Sequence, residues 1–261
     1  MTESDRQFNE IVKALAALGV RPDAPLLVHS SVKSLGPLSI GLDGVIGALK
    51  ESVREAPLLL PTLSYEGISW SRPVFDARTT PSCVGILPEY FRTLPGVRRS
   101  CHITHSVAAL GDDDGDFVGE HHLDTTPGGP HSPFRRLADH DGQILMLGCG
   151  LKPNTSMHAI EELILPDYLF LNGVFSYEAT DSMGVQRTLA TRRHDFAATV
   201  QRYDRITEVL DPGTELREGR VLKAHCHLIQ AHALWEKVYA AMKADPVRFV
   251  DRARQDSTRD Q

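Results

Sequence analysis

Residues 144–165, ILMLGCGLKPNTSMHAIEELIL, decide how this chain folds. A short apolar run (Ile144 to Leu147) meets Gly148 and Gly150, then Pro153, then Asn154-Thr155-Ser156, and then a segment with helical spacing that stops before Pro166. This order predicts a strand, a loop and a helix. Thr155 or Ser156 is the expected N-cap, because a side-chain oxygen there can accept from the free amides of the first turn. At about 100° per residue, Ile160, Leu163 and Ile164 share one helix face while His158, Glu161 and Glu162 gather on the other. The spacing predicts that the helix buries the first face and presents the second.

A histidine three or four residues before a carboxylate on one helix face is a candidate acid/base dyad. The carboxylate holds one ring nitrogen and leaves the other to take a proton. Glu161 and Glu162 both satisfy that geometry. The positive end of the helix disfavours an imidazolium in the first turn, so a neutral, proton-accepting His158 is expected near pH 7.

Working outward, 261 residues are enough to bury a sizeable core. A composition of 41% apolar residues belongs to an ordinary globular protein, and no apolar run approaches the roughly 20 residues needed to span a bilayer. The first ten residues, MTESDRQFNE, are polar and unlike a signal peptide, so a cytoplasmic location is expected. Cys83, Cys101, Cys149 and Cys226 show no paired spacing and read as reduced thiols. A net charge of −6 with no basic, aromatic-interleaved stripe argues against a nucleic-acid partner.

Upstream, helical spacing from about residue 4 to 18 ends at Gly19, where a C-terminal cap belongs. Leu26 to Val28 form a strand that runs into His29-Ser30-Ser31, and a helix is expected from about Asp43 to Val53. Leu58 to Leu60 form a strand closed by Pro61-Thr62. Residues 64–81 read as a long loop whose Tyr65, Trp70, Phe75 and Asp76 suit a pocket wall or lid. A helix starts near Pro88. RRSCHITHS (98–106) leads into a strand of small apolar residues, and Arg98 and Arg99 are suited to phosphate oxygens. Residues 112–116 read as a solvated acidic turn, and Ser132-Pro133 as the cap of a short helix.

Downstream, a hairpin is expected from Val174 to Thr191, a helix from about Phe196 to Leu210, a strand from about Arg220 to His227, and a last helix from about Leu228 to Lys243. With no internal repeat or linker, a single domain over 1–261 is the simplest organisation.

Five motifs then occur in a distinctive order: LLVHSSVKSLG, FDARTTPSCVGILPEYFR, RRSCHITHSVAALG, HSPFRRLADHDGQILMLGCG and NTSMHAIEE. Together they resemble the aminoglycoside N-acetyltransferases that modify the 3-amino group. The resemblance runs from about Leu26 to Leu165, and the final KADPVRFV resembles that family's last helix. It implies a three-layer αβα fold, distinct from the commoner acetyltransferase superfamily, that transfers acetyl directly from acetyl-CoA to an amine and confers antibiotic resistance. His158 matches the family's catalytic histidine and Glu161, rather than Glu162, its helix carboxylate; His29 and Thr155 match further motif positions.

The resemblance places coenzyme A against Ser30, Ser31, Val32, Ser34, Leu35, Gly36, Gly85, Ile86, Leu87, Arg98, Ser100, His102, Ser106 and Ser132. Tyr65, Asp76, Glu162 and His194 are expected on the acceptor side. Ile103 stands where the family usually carries proline, and the stretch around Glu66 departs from its amine-site pattern. The implied reaction needs no metal, no nucleic acid and no membrane, and suits a monomer or homodimer.

An alkyl amine is mostly protonated at pH 7 and must lose that proton before it attacks a thioester. His158, oriented by Glu161, is the expected general base, and a backbone amide or the Thr155 hydroxyl the expected oxyanion donor. Two other readings compete. One keeps the chemistry and changes the acceptor to an amino sugar or biosynthetic intermediate. The other is a metal-dependent hydrolase using His121, His122 and Asp124, or His225 and His227, which as alternate strand residues share a face while Cys226 points away.

Overall fold

The computed structural model describes residues 2–68, 72–195, 197 and 199–252. The first half forms α1 (Glu3–Leu18), β1 (Leu26–Ser30), α2 (Gly41–Val53), β2 (Leu58–Pro61), β3 (Val74–Asp76), α3 (Ile86–Phe91), β4 (Val97–Arg99) and β5 (Val107–Leu110). Next come α4 (Pro133–Asp139), β6 (Gln143–Leu147), α5 (Ser156–Ile164), β7 (Phe175–Thr180), β8 (Gln186–Thr191) and β9 (Thr199–Gln201). The hairpin of β10 (Leu216–Val221) and β11 (Ala224–Gln230), then α6 (Ala231–Ala244) and β12 (Val250–Arg252), follow.

Seven strands form one sheet in the order β10-β11-β6-β1-β2-β5-β4. β1 runs parallel to β2 and β6, whereas β5 and β11 are antiparallel additions. The central strands are apolar at nearly every position because both sheet faces are covered. On β1, Leu26 and Val28 pack with Leu15 of α1, Leu49 of α2 and Phe91 of α3. Leu27, pointing the other way, packs with Phe134 of α4, Ile160 of α5 and Leu234 of α6. The result is the expected three-layer αβα arrangement. Each fully buried Leu or Ile contributes about 1.5–3 kcal/mol.

Local chemistry sets the element ends. Thr2 and Asp5 form a reciprocal capping box at the start of α1, with Asp5 N–H donating to Thr2 Oγ1 at 3.1 Å and Thr2 N–H to Asp5 Oδ2 at 2.8 Å. Gly19, at φ 98°, closes α1 in the left-handed region as expected. Ser132 caps α4 by accepting from the Arg135 amide.

Several expectations are corrected. The 64–81 loop contains β3, which pairs in parallel with β7 in a second, three-stranded sheet completed by β8. Trp70 lies outside the described residues. Phe196, the expected start of a helix, also lies outside them, and the described part of that stretch is β9 followed by a 3-10 helix at Tyr203–Glu208. The strand expected at 220–227 is a hairpin that turns at Leu222, φ 51°, and α6 starts three residues later than expected. Asp112 is buried, accepting from the amides of Phe117 and Val118, so the acidic turn is solvated only in part. All four cysteines are free, and no described helix is long and apolar enough to cross a membrane.

Candidate active site

The carboxyl ends of β1, β2 and β6 point to one edge of the sheet, where the chain must leave each strand and a crevice opens. A cavity of about 670 Å³ lies there, walled by His29 and Ser30 from β1, Pro61 and Leu63 after β2, and Cys149 after β6. The first turn of α5 supplies Thr155 and His158, while Tyr65, His105, Arg193, His194 and Tyr203 arrive from other segments. Gly148, at φ 71°, lets the loop at Val32–Leu35 pack against the end of β6; a Cβ there would sit 1.8 Å from Ser34 Oγ and 2.9 Å from Ala224 Cβ.

The helix carrying His158 does not divide into a buried apolar face and a solvated polar one. Glu161 is fully buried and Glu162 is 9% exposed, while Leu163 is 40% exposed. Helix α5 lies beneath the cavity and packs against α4 and α6, so its polar side faces protein. Nor does Thr155 cap it as expected. Thr155 occupies the N-cap position in a helical conformation and its hydroxyl makes no cap bond, whereas Asn154 Oδ1 accepts from the Ser156 amide at 3.2 Å.

Burial is possible because each carboxylate finds donors. His158 Nδ1 lies 3.0 Å from Glu161 Oε2, and the Tyr203 hydroxyl donates to the same oxygen at 2.8 Å. The Tyr168 hydroxyl donates to the other oxygen at 3.0 Å. Burial, and then the Glu161 charge, push the Tyr203 phenol well above its ordinary range, so its proton stays on oxygen. With that proton committed to Glu161, the Tyr203 oxygen accepts from His158 Nδ1, 2.6 Å away. The arrangement therefore places the ring proton on Nδ1 and turns the Nε2 lone pair away from the carboxylate.

Glu162 serves a different histidine. Its Oε1 lies 2.8 Å from His194 Nε2 and accepts from the Gly128 amide at 2.8 Å. Burial raises the Glu162 carboxyl to about 7 and holds His194 well below the ordinary imidazole value, so burial works against charge on both partners. The His158 and His194 rings lie 5.1 Å apart, and the His105 ring lies 4.9 Å from His194. His102 stacks on His121 at 4.6 Å. Burial depresses His29 and His121 to about 3, and His102 and His105 well below the ordinary value. The cavity is thus backed by imidazoles that remain neutral. His29 Nε2 is buried there with no hydrogen-bond partner among the described residues.

Of the residues singled out from sequence, the cavity wall brings together His29, Ser30, Tyr65, Thr155, His158 and His194, with Glu161 and Glu162 directly behind. Ser31, Val32, Ser34, Leu35 and Gly36 lie next to it on the loop after β1, and Gly85, Ile86 and Leu87 open α3 beside the wall residues Val84 and Pro88. Others are committed elsewhere. Arg98 donates to the carbonyls of Asp112 and Asp113. Arg99 is buried, donating to Thr62 O, Thr62 Oγ1 and Ser106 Oγ. Ser100 meets His121 Nδ1 at 2.9 Å, His102 Nδ1 accepts from the amides of Thr104 and His105, and Ser132 is the α4 cap. Asp76 pairs with Arg78.

The histidine and carboxylate groups proposed for a hydrolytic metal do not converge on this cavity. His121 is held by Ser100 and the Pro127 carbonyl, His122 by the Gly119 carbonyl, and Asp124 by His131. Neither His225 nor His227 lines the cavity. Sequence reading missed Tyr203 and Tyr168. Tyr203 lies 42 residues beyond Glu161 in a stretch misread as helix, so no local spacing connects the two.

A family model described as aminoglycoside 3-N-acetyltransferase matches residues 27–243. Over 155 residues the chain is 37% identical to aminoglycoside N(3)-acetyltransferase IV from Salmonella sp, a match covering 58% of this chain and 57% of that protein. The chain therefore spans little more than half the length of this curated relative. Among solved structures, apo aminoglycoside acetyltransferase AAC(3)-IVa superposes with a TM-score of 0.75 at 28% identity, covering 93% of this chain and 90% of that one. AAC-IIIb in its binary complex with CoASH gives a TM-score of 0.75 at 26% identity, covering 93% and 97%.

Proposed function

Because this chain belongs to the aminoglycoside 3-N-acetyltransferase family, we propose that it is an acetyl-CoA-dependent N-acetyltransferase acting on an amino group of an aminoglycoside. The observation that carries this reading is the pairing of His158 Nδ1 with buried Glu161 at 3.0 Å, on the wall of a cavity at the carboxyl edge of the sheet. Coenzyme A lies against the loop from Ser30 to Gly36 and the start of α3. The bound ammonium first gives one proton to solvent, and His158 accepts a second from the nitrogen as it attacks the thioester carbonyl. The N–C bond forms, the C–S bond breaks, and the departing thiolate takes up a proton from the imidazolium. Glu161, with its three donors, steadies the imidazolium, which general-base catalysis of about 10²- to 10⁴-fold requires. The uncommitted Thr155 hydroxyl and His29 Nε2 supply polar contacts at the reacting carbonyl. The whole chain acts as one domain.

A second acceptor class is favoured by one observation. Among the described residues lining the cavity there is no Asp or Glu, whereas Lys152 and Arg193 are present. An aminoglycoside carries several ammonium groups and gains from nearby carboxylates. An amine with fewer positive charges, such as a singly aminated sugar or a biosynthetic intermediate, meets no such mismatch.

Thiol release from acetyl-CoA, followed with a chromogenic thiol reagent over a panel of 2-deoxystreptamine aminoglycosides and singly charged amino sugars, tests both readings. Release that depends on acceptor and disappears in His158→Ala, with CoA affinity retained, is expected. Equal turnover in His158→Ala overturns the general base, and loss of CoA binding by wild-type protein overturns the transferase reading.

A further inference from the structure

The β10–β11 hairpin at the sheet edge carries a cluster that acetyl transfer does not use. Glu218 on β10 is directly opposite His227 on β11, and His225 lies two residues away on the same strand face. One ligand atom from each, both imidazoles and the carboxylate, lies within 4.8 Å of the other two. His225 Nε2 is 3.3 Å from Glu218 Oε2 and His227 Nε2 is 4.0 Å from Glu218 Oε1, yet neither contact closes into a hydrogen bond. The two rings stand edge to face, centroids 4.7 Å apart, with both Nε2 atoms turned toward the carboxylate.

We propose that Glu218, His225 and His227 form a binding site for a divalent transition-metal ion of the zinc class. Two imidazoles with a carboxylate are a donor set that such ions favour over magnesium or calcium. His227 is the fixed ligand, only 9% exposed. His225 and Glu218 are exposed and free to move. Tetrahedral ligation at about 2.0–2.1 Å would draw the three donors to about 3.3 Å from one another, a shift that rotation of the two exposed side chains supplies. Cys226, between the histidines, points into the opposite core and is not a ligand. Arg220, opposite His225, directs its guanidinium to the Lys223 carbonyl rather than to Glu218.

A bound ion would clamp β10 to β11. The turn of this hairpin reaches the loop after β1, with the Lys223 amide 3.4 Å from the Leu35 carbonyl. The ion would therefore brace the loop next to the cavity without entering it.

The test is calorimetric titration of Zn²⁺ into untagged, chelator-treated full-length protein, with Co²⁺ absorption as a second readout. One ion per chain is expected. His225→Ala and Glu218→Gln, both surface changes that leave the core intact, should each weaken binding by about tenfold or more, while His122→Ala binds as wild type does. The Co²⁺ spectrum should show nitrogen and oxygen ligation. Absence of binding, unchanged affinity in both surface variants, or a thiolate-to-Co²⁺ charge-transfer band overturns the site.

Discussion

Five histidines that burial keeps neutral should make this protein less stable on mild acidification. His29, His102, His105, His121 and His194 all have folded-state proton affinities far below the ordinary imidazole value of 6.5, and for His29 and His121 the value is about 3. Below pH 6.5 the unfolded chain binds protons at these positions and the folded chain does not, so stability is lost as pH falls. At about 1.36 kcal/mol per unit, lowering the pH from 7 to 5.5 costs about 1.2 kcal/mol for each of His29 and His121, and His102, His105 and His194 add to the loss in the same direction. Glu162 acts in the opposite sense. Its folded value of about 7 exceeds the ordinary 4.5, so the folded state takes up the proton first and regains about 1.5 kcal/mol over the same interval. His29 and His121 against Glu162 leave a net loss of about 1 kcal/mol, which His102, His105 and His194 enlarge. Urea unfolding at pH 7.0 and 5.5, monitored by circular dichroism, measures it directly. A difference below about 1 kcal/mol would refute the burial argument, because the imidazoles would then be protonated without unfolding the chain.

Three substitutions probe the site and its supports. Glu161→Gln keeps the side-chain shape but removes the charge that steadies the imidazolium, so kcat should fall about 10- to 100-fold with the KM for acetyl-CoA changed less than about threefold; a loss confined to KM contradicts the assigned role. Gly148→Ala places a methyl group against Ser34 and Ala224 at a positive φ, and is expected to cost about 1–3 kcal/mol in thermal stability and to weaken CoA binding measured by calorimetry. Arg99→Lys replaces a buried fork that holds Thr62, Thr80 and Ser106 with a shorter set of donors. A destabilisation of about 3 kcal/mol should appear in urea unfolding, and retention of wild-type stability would show that the fork is dispensable.

The three-layer fold was legible because its signals are local. Apolar strands buried on both faces, glycines at the turns and helical spacing on either side are written within ten or fifteen residues of one another, as in Ile144–Leu165. What misled was the assumption that a polar face is a wet one. Glu161 and Glu162 are buried because Tyr168, Tyr203, His194 and Gly128 bring donors from far along the chain, and no periodicity records that. The same blindness turned Tyr203, Ile206 and Leu210 into a regular helix, since their spacing of three and four residues suits the 3-10 turn that packs them into the core equally well. In β10 the charges of Arg217, Glu218 and Arg220 around Gly219 hid a strand whose only buried positions are its ends, Leu216 and Val221. Family resemblance singled out Glu161, which helical geometry alone left level with Glu162.

That tie had a physical answer beyond the reach of spacing. Successive residues on a helix diverge by about 100°, and here Glu161 turns to His158 while Glu162 turns to His194, so α5 presents two histidine–carboxylate pairs to a single cavity. They are not equivalent. Glu161 receives two phenol hydroxyls as well as His158 Nδ1. Glu162 has the Gly128 amide and the Thr126 side chain besides its histidine, and burial pushes both members of that pair toward neutrality. In the proposed mechanism the proton goes to His158 rather than to His194, where burial opposes it, although the two rings are 5.1 Å apart. In that mechanism the second pair, held toward neutrality by burial, adds no positive charge to oppose proton transfer to the first.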